Sequence, residues 1–200
     1  MKRYDGFEAK RNTVREILPA GGYVVKIMGA EEQVYGWGSL VRISFDIMEG
    51  PKAGFFAKDY QANTREDRKW RGVYRLYEPK SDGSEKDQWT KNMFNNAVAV
   101  LQESNPGYQW DWGPVKSGDF SQLKGKIAGV LFREKQWEMD GRTGWTTECC
   151  ALTSAEDIRQ GNYQIPSPKP LPEQQEAKNA GKRNEDDFEE LLDADGDLPF

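Results

Sequence analysis

Gly38 to Pro51 reads GSLVRISFDIMEGP. Val41, Ile43, Phe45 and Ile47 alternate with Arg42, Ser44 and Asp46. A period of two puts the apolar side chains on one face and the polar ones on the other, as in a half-buried β-strand. Gly50-Pro51 ends the strand. Upstream, GGYVVKIMGAEEQ (21–33) reads as the preceding strand, and VYGWG joins the two, carrying Tyr35 and Trp37. Downstream, GFFAKDYQA (54–62) reads as a third strand, with Phe56, Lys58 and Tyr60 on one side.

Residues 64–85, TREDRKWRGVYRLYEPKSDGSE, interleave basic and aromatic residues with no clear period and read as an insertion. From Ser84 to Asn105 the spacing changes: Trp89, Met93, Phe94, Ala97, Val100 and Leu101 recur as on one side of a helix. Ser84 with Asp87 and Gln88 supplies a cap, and Asn105-Pro106-Gly107 a stop. WDWGPVKSGDFSQL follows as a loop. KGKIAGVLFREKQWEM (124–139) and RTGWTTECCAL (142–152) form a hairpin across Asp140-Gly141, a favoured turn pair. A short helix is expected at SAEDIRQ. Three strands, a helix and two strands predict a mainly β fold, a five-stranded OB-like barrel with the helix between strands three and four. The same string also suits an unrelated five-stranded α+β sheet.

The apolar fraction is 36%, low for a chain that is globular throughout, while aromatics reach 12%. Histidine is absent, which removes the usual general base and the commonest metal ligand. The two cysteines, Cys149 and Cys150, are adjacent. That spacing does not suit a disulfide, and two thiols do not complete a zinc site, so they read as reduced thiols of a cytosolic protein. No apolar run is long enough to span a membrane, and the charged opening, MKRYDGFEAKRNTVRE, lacks the core of a secretory signal. The expected location is cytoplasmic, and no cofactor or metal is expected.

The net charge of -5 is unevenly spread. Residues 165–200 hold ten acidic and four basic residues, leaving 24 basic and 23 acidic in residues 1–164. The segment from Ile165 has four prolines in eight residues and then a polar run. It reads as a linker, extended and then disordered, over 165–185. Residues 186–200 form an acidic tail that ends DGDLPF, and residues 1–164 the folded domain. An exposed terminal Phe can enter an apolar pocket while its carboxylate meets a basic group, and the upstream acid attracts a basic rim.

DGDLPF resembles the C-terminal tip of bacterial and phage single-stranded DNA-binding proteins, in which an acidic run closes on Asp, an apolar residue, Pro and Phe. The order of parts (a β-rich body, a linker, the tip) is also similar, most of all to the divergent phage and prophage members. The close match covers only about the last ten positions. The resemblance implies an OB fold, sequence-independent binding of single-stranded DNA, and recruitment of replication, recombination and repair proteins through Asp195, Asp197, Leu198, Pro199 and Phe200. Gly196 interrupts the acidic triplet often found there.

Holding a single strand without reading it needs aromatic faces for bases and cations along the phosphates. The candidate aromatics are Tyr35, Trp37, Phe56, Tyr60, Trp70, Tyr74, Tyr77, Trp137 and Trp145. The candidate cations are Arg42, Lys58, Arg65, Arg68, Lys69, Arg71, Arg75, Arg133, Lys135 and Arg142. Each aromatic is equally readable as core, whereas Trp89 and Phe94 belong to the helix's buried face. Clustered carboxylates for magnesium and a phosphate loop are missing from the sequence, which argues against a nuclease or an ATPase, so no catalytic residue is assigned. The rival is an adaptor that uses the tip and binds no DNA, because nonspecific phosphate binding usually leaves a basic excess.

Overall fold

The computed structural model describes residues 16–112 and 120–172. Five strands form one antiparallel sheet: β1 (Gly21–Tyr35), β2 (Gly38–Ile47), β3 (Val73–Tyr77), β4 (Ile127–Met139) and β5 (Arg142–Thr153). Among the described residues, three α-helices accompany them: α1 (Phe55–Ala62), α2 (Glu85–Ser104) and α3 (Ala155–Gln160). The spatial order is β3-β2-β1-β4-β5, so β3 and β5 are the edges. β1 belongs to two pairings, with β4 over its first six residues and with β2 from Val25 onward. An extra residue at Met28 shifts the β1–β2 register. Such a bulge bends and twists a strand. The sheet curls until β3 faces β5 across a cleft lined by Val73–Arg75, Tyr77, Met93 and Glu148–Cys150, without hydrogen-bonded closure.

The alternation in β2 holds. Val41, Ile43, Phe45 and Ile47 are buried, and Arg42, Ser44 and Asp46 are half-buried on the other side. Phe45 meets Phe56 and Phe132 at 5.7 and 6.3 Å between ring centroids. Leu76, Leu101, Leu123 and Val130 complete the centre of the core.

The expected third strand at 54–62 is α1 instead. Its first turn is capped from a distance: the Asp46 carboxylate on β2 accepts from the backbone N–H groups of Phe56 (3.0 Å) and Ala57 (3.2 Å). An acceptor at a helix N-terminus satisfies amides that have no partner within the helix. Ten residues separate cap and helix, so no local pattern announces it. On a helix Phe56 and Tyr60 share a face and Lys58 does not. The true third strand, β3, comes from the supposed insertion. It lies beside β2 because Gly72 has no side chain: a Cβ there would fall 2.2 Å from the Phe45 carbonyl and 2.7 Å from the Phe56 ring. The Phe45 N–H donates to the Gly72 carbonyl at 2.7 Å.

α2 matches its expected span. Ser84 Oγ accepts from the Asp87 N–H at 3.1 Å, and Asn105 closes the helix by donating to the carbonyls of Leu101 and Ile127, each at 2.8 Å. The β4–β5 turn is Asp140-Gly141, with φ of 51° and 71°. Both residues have the positive φ that a two-residue hairpin requires. Cys150 is the bulged residue of β5; its thiol lies 3.4 Å from the Leu131 carbonyl, and Cys149 packs against the core. The chain keeps contact beyond Ile165. Lys169 donates to the Glu134 carbonyl and accepts from the Gln136 N–H, each at 2.8 Å, as a parallel bridge on the edge of β4 that β1 leaves uncovered.

Candidate nucleic-acid interface

Register decides which side chains share the outer face of β1–β2–β3. With Ile43 and Phe45 turned inward, Arg42 and Ser44 must turn outward. Pairing then aligns Glu31, Arg42 and Arg75 in one row, and Gln33, Leu40 and Tyr77 in the next. The two-residue turn at Gly36-Trp37 lies beyond that second row.

Aromatic side chains gather at the turn. The rings of Tyr35 and Trp37 stack at 5.1 Å with 7° between planes. Trp37 is 38% exposed and lies 6.2 Å from Tyr77, which is buried and 6.3 Å from Trp89. The loop from Glu78 to Ser84 ties these elements together through Asp87. Its carboxylate accepts from the N–H groups of Ser81 and Gly83 at 2.8 and 3.1 Å, and pairs with Lys91 at 2.6 Å. The hydrogen bond from Lys91 is the main reason this carboxyl sits below its ordinary range, helped by the two backbone amides.

A second aromatic group lies past the other end of β2, where Trp70 packs partly against the core. The Trp70 indole N–H donates to the Phe45 carbonyl at 3.0 Å, and the Tyr60 ring is 5.8 Å from Trp70. The Arg68 guanidinium sits 4.8 Å from the centre of the Tyr60 ring, a cation–π contact. Between the two groups stand Arg42 and Arg75. Arg42 donates to Ser44 Oγ and to the Trp70 carbonyl, both at 3.2 Å, and lies 3.7 Å from Glu31. Arg75 is exposed. From Gly38 to Ser44 the strip runs roughly 20 Å, at about 3.4 Å per residue.

The β4–β5 arm brings its own cations. Arg133 Nε donates to one oxygen of Glu148 at 2.8 Å, and Lys135 Nζ lies 3.1 Å from the other. Glu148 also lines the cleft beside Arg75 and Tyr77. Trp137 lies against Gly144, where a Cβ would fall 2.6 Å from the indole. Trp145 is 45% exposed, and Arg142 is exposed at the turn. In the cleft, burial pushes the Cys149 thiol well above its ordinary value.

Three candidate aromatics are corrected. Tyr77, 7% exposed beneath Trp37 and Trp89, offers no face to a base. Phe56 and Tyr74 are each 5% exposed and belong to the core, so neither offers a face to a base. Phe56 turns inward as part of α1, and Tyr74 because it pairs with the inward Ile43. Lys58 is exposed on α1 and donates to the Ala53 carbonyl at 3.1 Å, off the strip. Lys69 is exposed and Arg71 half-buried in the approach to β3. Trp89, expected in the core, is half-buried beside Tyr77. Its helical period gives the face but not the depth. Trp112, to which the sequence assigns no role, is 71% exposed and 5.6 Å from Phe94. Asp195, Asp197, Leu198, Pro199 and Phe200 lie outside the described residues.

Among the described residues, no three His, Cys, Asp or Glu side chains converge as metal ligands. None of the described helices is long and apolar enough to cross a membrane. No known protein family and no curated protein matches this chain.

Proposed function

We propose that this protein binds single-stranded DNA without reading its sequence, on the outer face of β1–β2–β3, and that its C-terminal tip docks replication, recombination or repair proteins. The observation that carries the reading is the strip itself: Tyr35 and Trp37 at one end, Tyr60 and Trp70 at the other, with Arg42 and Arg75 between. Bases stack on aromatic faces whatever their identity, and cations follow the phosphates. We read the curled sheet, in the order β3-β2-β1-β4-β5 with α2 between β3 and β4, as an OB-like barrel. In such barrels the strand two and three face and the turns after strands one and four form the groove. The Gly36-Trp37 and Asp140-Gly141 turns take those places. In this reading the protein has no catalytic step and acts in the cytoplasm.

The tip reading rests on DGDLPF and on the excess acid of the tail. The DNA-independent adaptor keeps one observation in its favour, since Glu31 and Glu148 offset three of the basic side chains. Titration with fluorescent oligo-dT and with a duplex of equal length, at low and moderate salt, decides between them. Salt-weakened preference for the single strand, with tryptophan quenching, is expected. Equal or absent binding to both would leave the adaptor.

A further inference from the structure

Glu148 holds two cations at once. One carboxylate oxygen is 2.8 Å from Arg133 Nε and the other 3.1 Å from Lys135 Nζ. All three side chains are held close to the protein: Arg133 is 12% exposed, Lys135 23% and Glu148 24%. The pairings Arg133↔Glu148 and Lys135↔Thr146 place them on one face of the β4–β5 arm. Trp137 follows on the same face, two residues along β4.

The geometry is that of an occupied anion site. Two cations converge on two oxygens of a planar anion, as they do on two oxygens of a phosphodiester. The site also has an address. Glu148 lines the cleft between β3 and β5 beside Arg75 and Tyr77, so it adjoins the strip across that cleft. A strand crossing β2 and β3 toward the arm would bring its next phosphate there.

We propose that Glu148 is an internal stand-in for a DNA phosphate: it holds Arg133 and Lys135 in place in the unbound protein and competes with the backbone of a bound single strand for them. The inference rests on the DNA reading above and adds a residue that limits affinity. The exchange makes and breaks no covalent bond. The phosphodiester takes the cations, and the Glu148 carboxylate swings toward the cleft and is hydrated. The ion pair therefore sets a ceiling on affinity and a floor under release. It also keeps the near-neutral body from collecting duplex and other polyanions, because the two cations are offered only to a strand already seated on the aromatic strip.

The test compares wild type, Glu148→Gln and Glu156→Gln in oligo-dT titrations over a salt series. Glu156 pairs with Arg159 on α3, so its variant removes the same charge elsewhere. Glu148→Gln is expected to tighten binding about threefold for each further phosphate neutralised, and to steepen the log K against log salt slope by about 0.7 per phosphate. Glu156→Gln should leave both unchanged. Glu148→Asp keeps the charge but shortens the bridge and should fall between wild type and Glu148→Gln, which keeps the test decisive if the glutamine variant folds poorly. Wild-type or weaker binding by both Glu148 variants, or an equal rise in affinity in Glu156→Gln, overturns the proposal while the DNA reading stands. Failure of the wild type to bind oligo-dT removes the DNA reading and the proposal together.

Discussion

Replacing Trp37 with alanine removes the most exposed ring at the turn between β1 and β2. Trp37 is 38% exposed, with the Tyr35 ring stacked on it at 5.1 Å and the Tyr77 ring tilted beside it at 6.2 Å. One side of the indole is taken by Tyr35, so Trp37 can serve one base and not two. A single base–aromatic stack contributes about 1–3 kcal/mol, which is roughly a 5- to 150-fold rise in Kd. The stability cost is smaller, because the side chain is not core and the lost ring pair stabilises by about 0.5–1.5 kcal/mol. Binding and folding are therefore separable at this position. Anisotropy titration of oligo-dT at one low salt concentration reads the first, and a thermal melt the second. Trp37→Phe should recover most of the loss. A Trp37→Ala protein that melts near wild type and binds within twofold of it would refute the stacking argument for the whole turn.

Three more outcomes are expected. Gly72→Ala should destabilise by about 1–3 kcal/mol, or lower Tm by roughly 2–12 °C, because its Cβ meets the Phe45 carbonyl and the Phe56 ring; an unchanged Tm would mean that β3 is not held against β2 at this point. Acid should loosen the Glu78–Ser84 loop. The folded Asp87 carboxyl is depressed, so its stabilising effect is complete above the ordinary aspartate value and is lost as pH falls through the lower folded value. Hydrogen exchange at the Ser81 and Gly83 amides, taken relative to the intrinsic rate at each pH, should therefore accelerate below about pH 3.8 in wild type. In Asp87→Asn it should be fast at neutral pH already, and equal protection in the two proteins would contradict the assignment. Deleting residues 191–200 should abolish capture of partner proteins while preserving or tightening oligo-dT binding, because it removes three aspartates and the terminal Phe; capture that survives deletion would move docking elsewhere.

The fold is legible where local chemistry is self-sufficient. β2 announces itself by alternation, α2 by its period and by Ser84, and the β4–β5 hairpin by Asp140-Gly141. It is illegible where a distant group decides. FFAKDYQA becomes a helix because Asp46, on another element, caps it. VYRLY becomes a strand because Gly72 permits close approach to β2. The same holds for the candidate site. Trp37 and Trp145 sit at turns, so their exposure follows from sequence position. Phe56 and Tyr74 defy the sequence pattern because their orientation depends on α1 and on pairing with Ile43. The ion pairs of Glu148 depend on the β4–β5 register and are invisible in composition, which counts Arg133 and Lys135 only as positive charge.

The bridge at Lys169 bears on how a shortened protein should be made. A boundary drawn from composition falls at Ile165, where the prolines begin. Ending the chain there would strip the parallel bridge from β4 and leave the Glu134 carbonyl and the Gln136 N–H without their partner. That edge sits on the arm that also carries Trp145, whose ring is already 45% exposed. An uncovered strand edge beside an exposed aromatic is a template for self-association. A fragment ending at 164 should therefore precipitate or form edge-to-edge aggregates at concentrations where one ending at 172 stays monodisperse. The prolines at 166, 168, 170 and 172 make the last contacted segment a poor template for a further strand, since each lacks the N–H a neighbour would need.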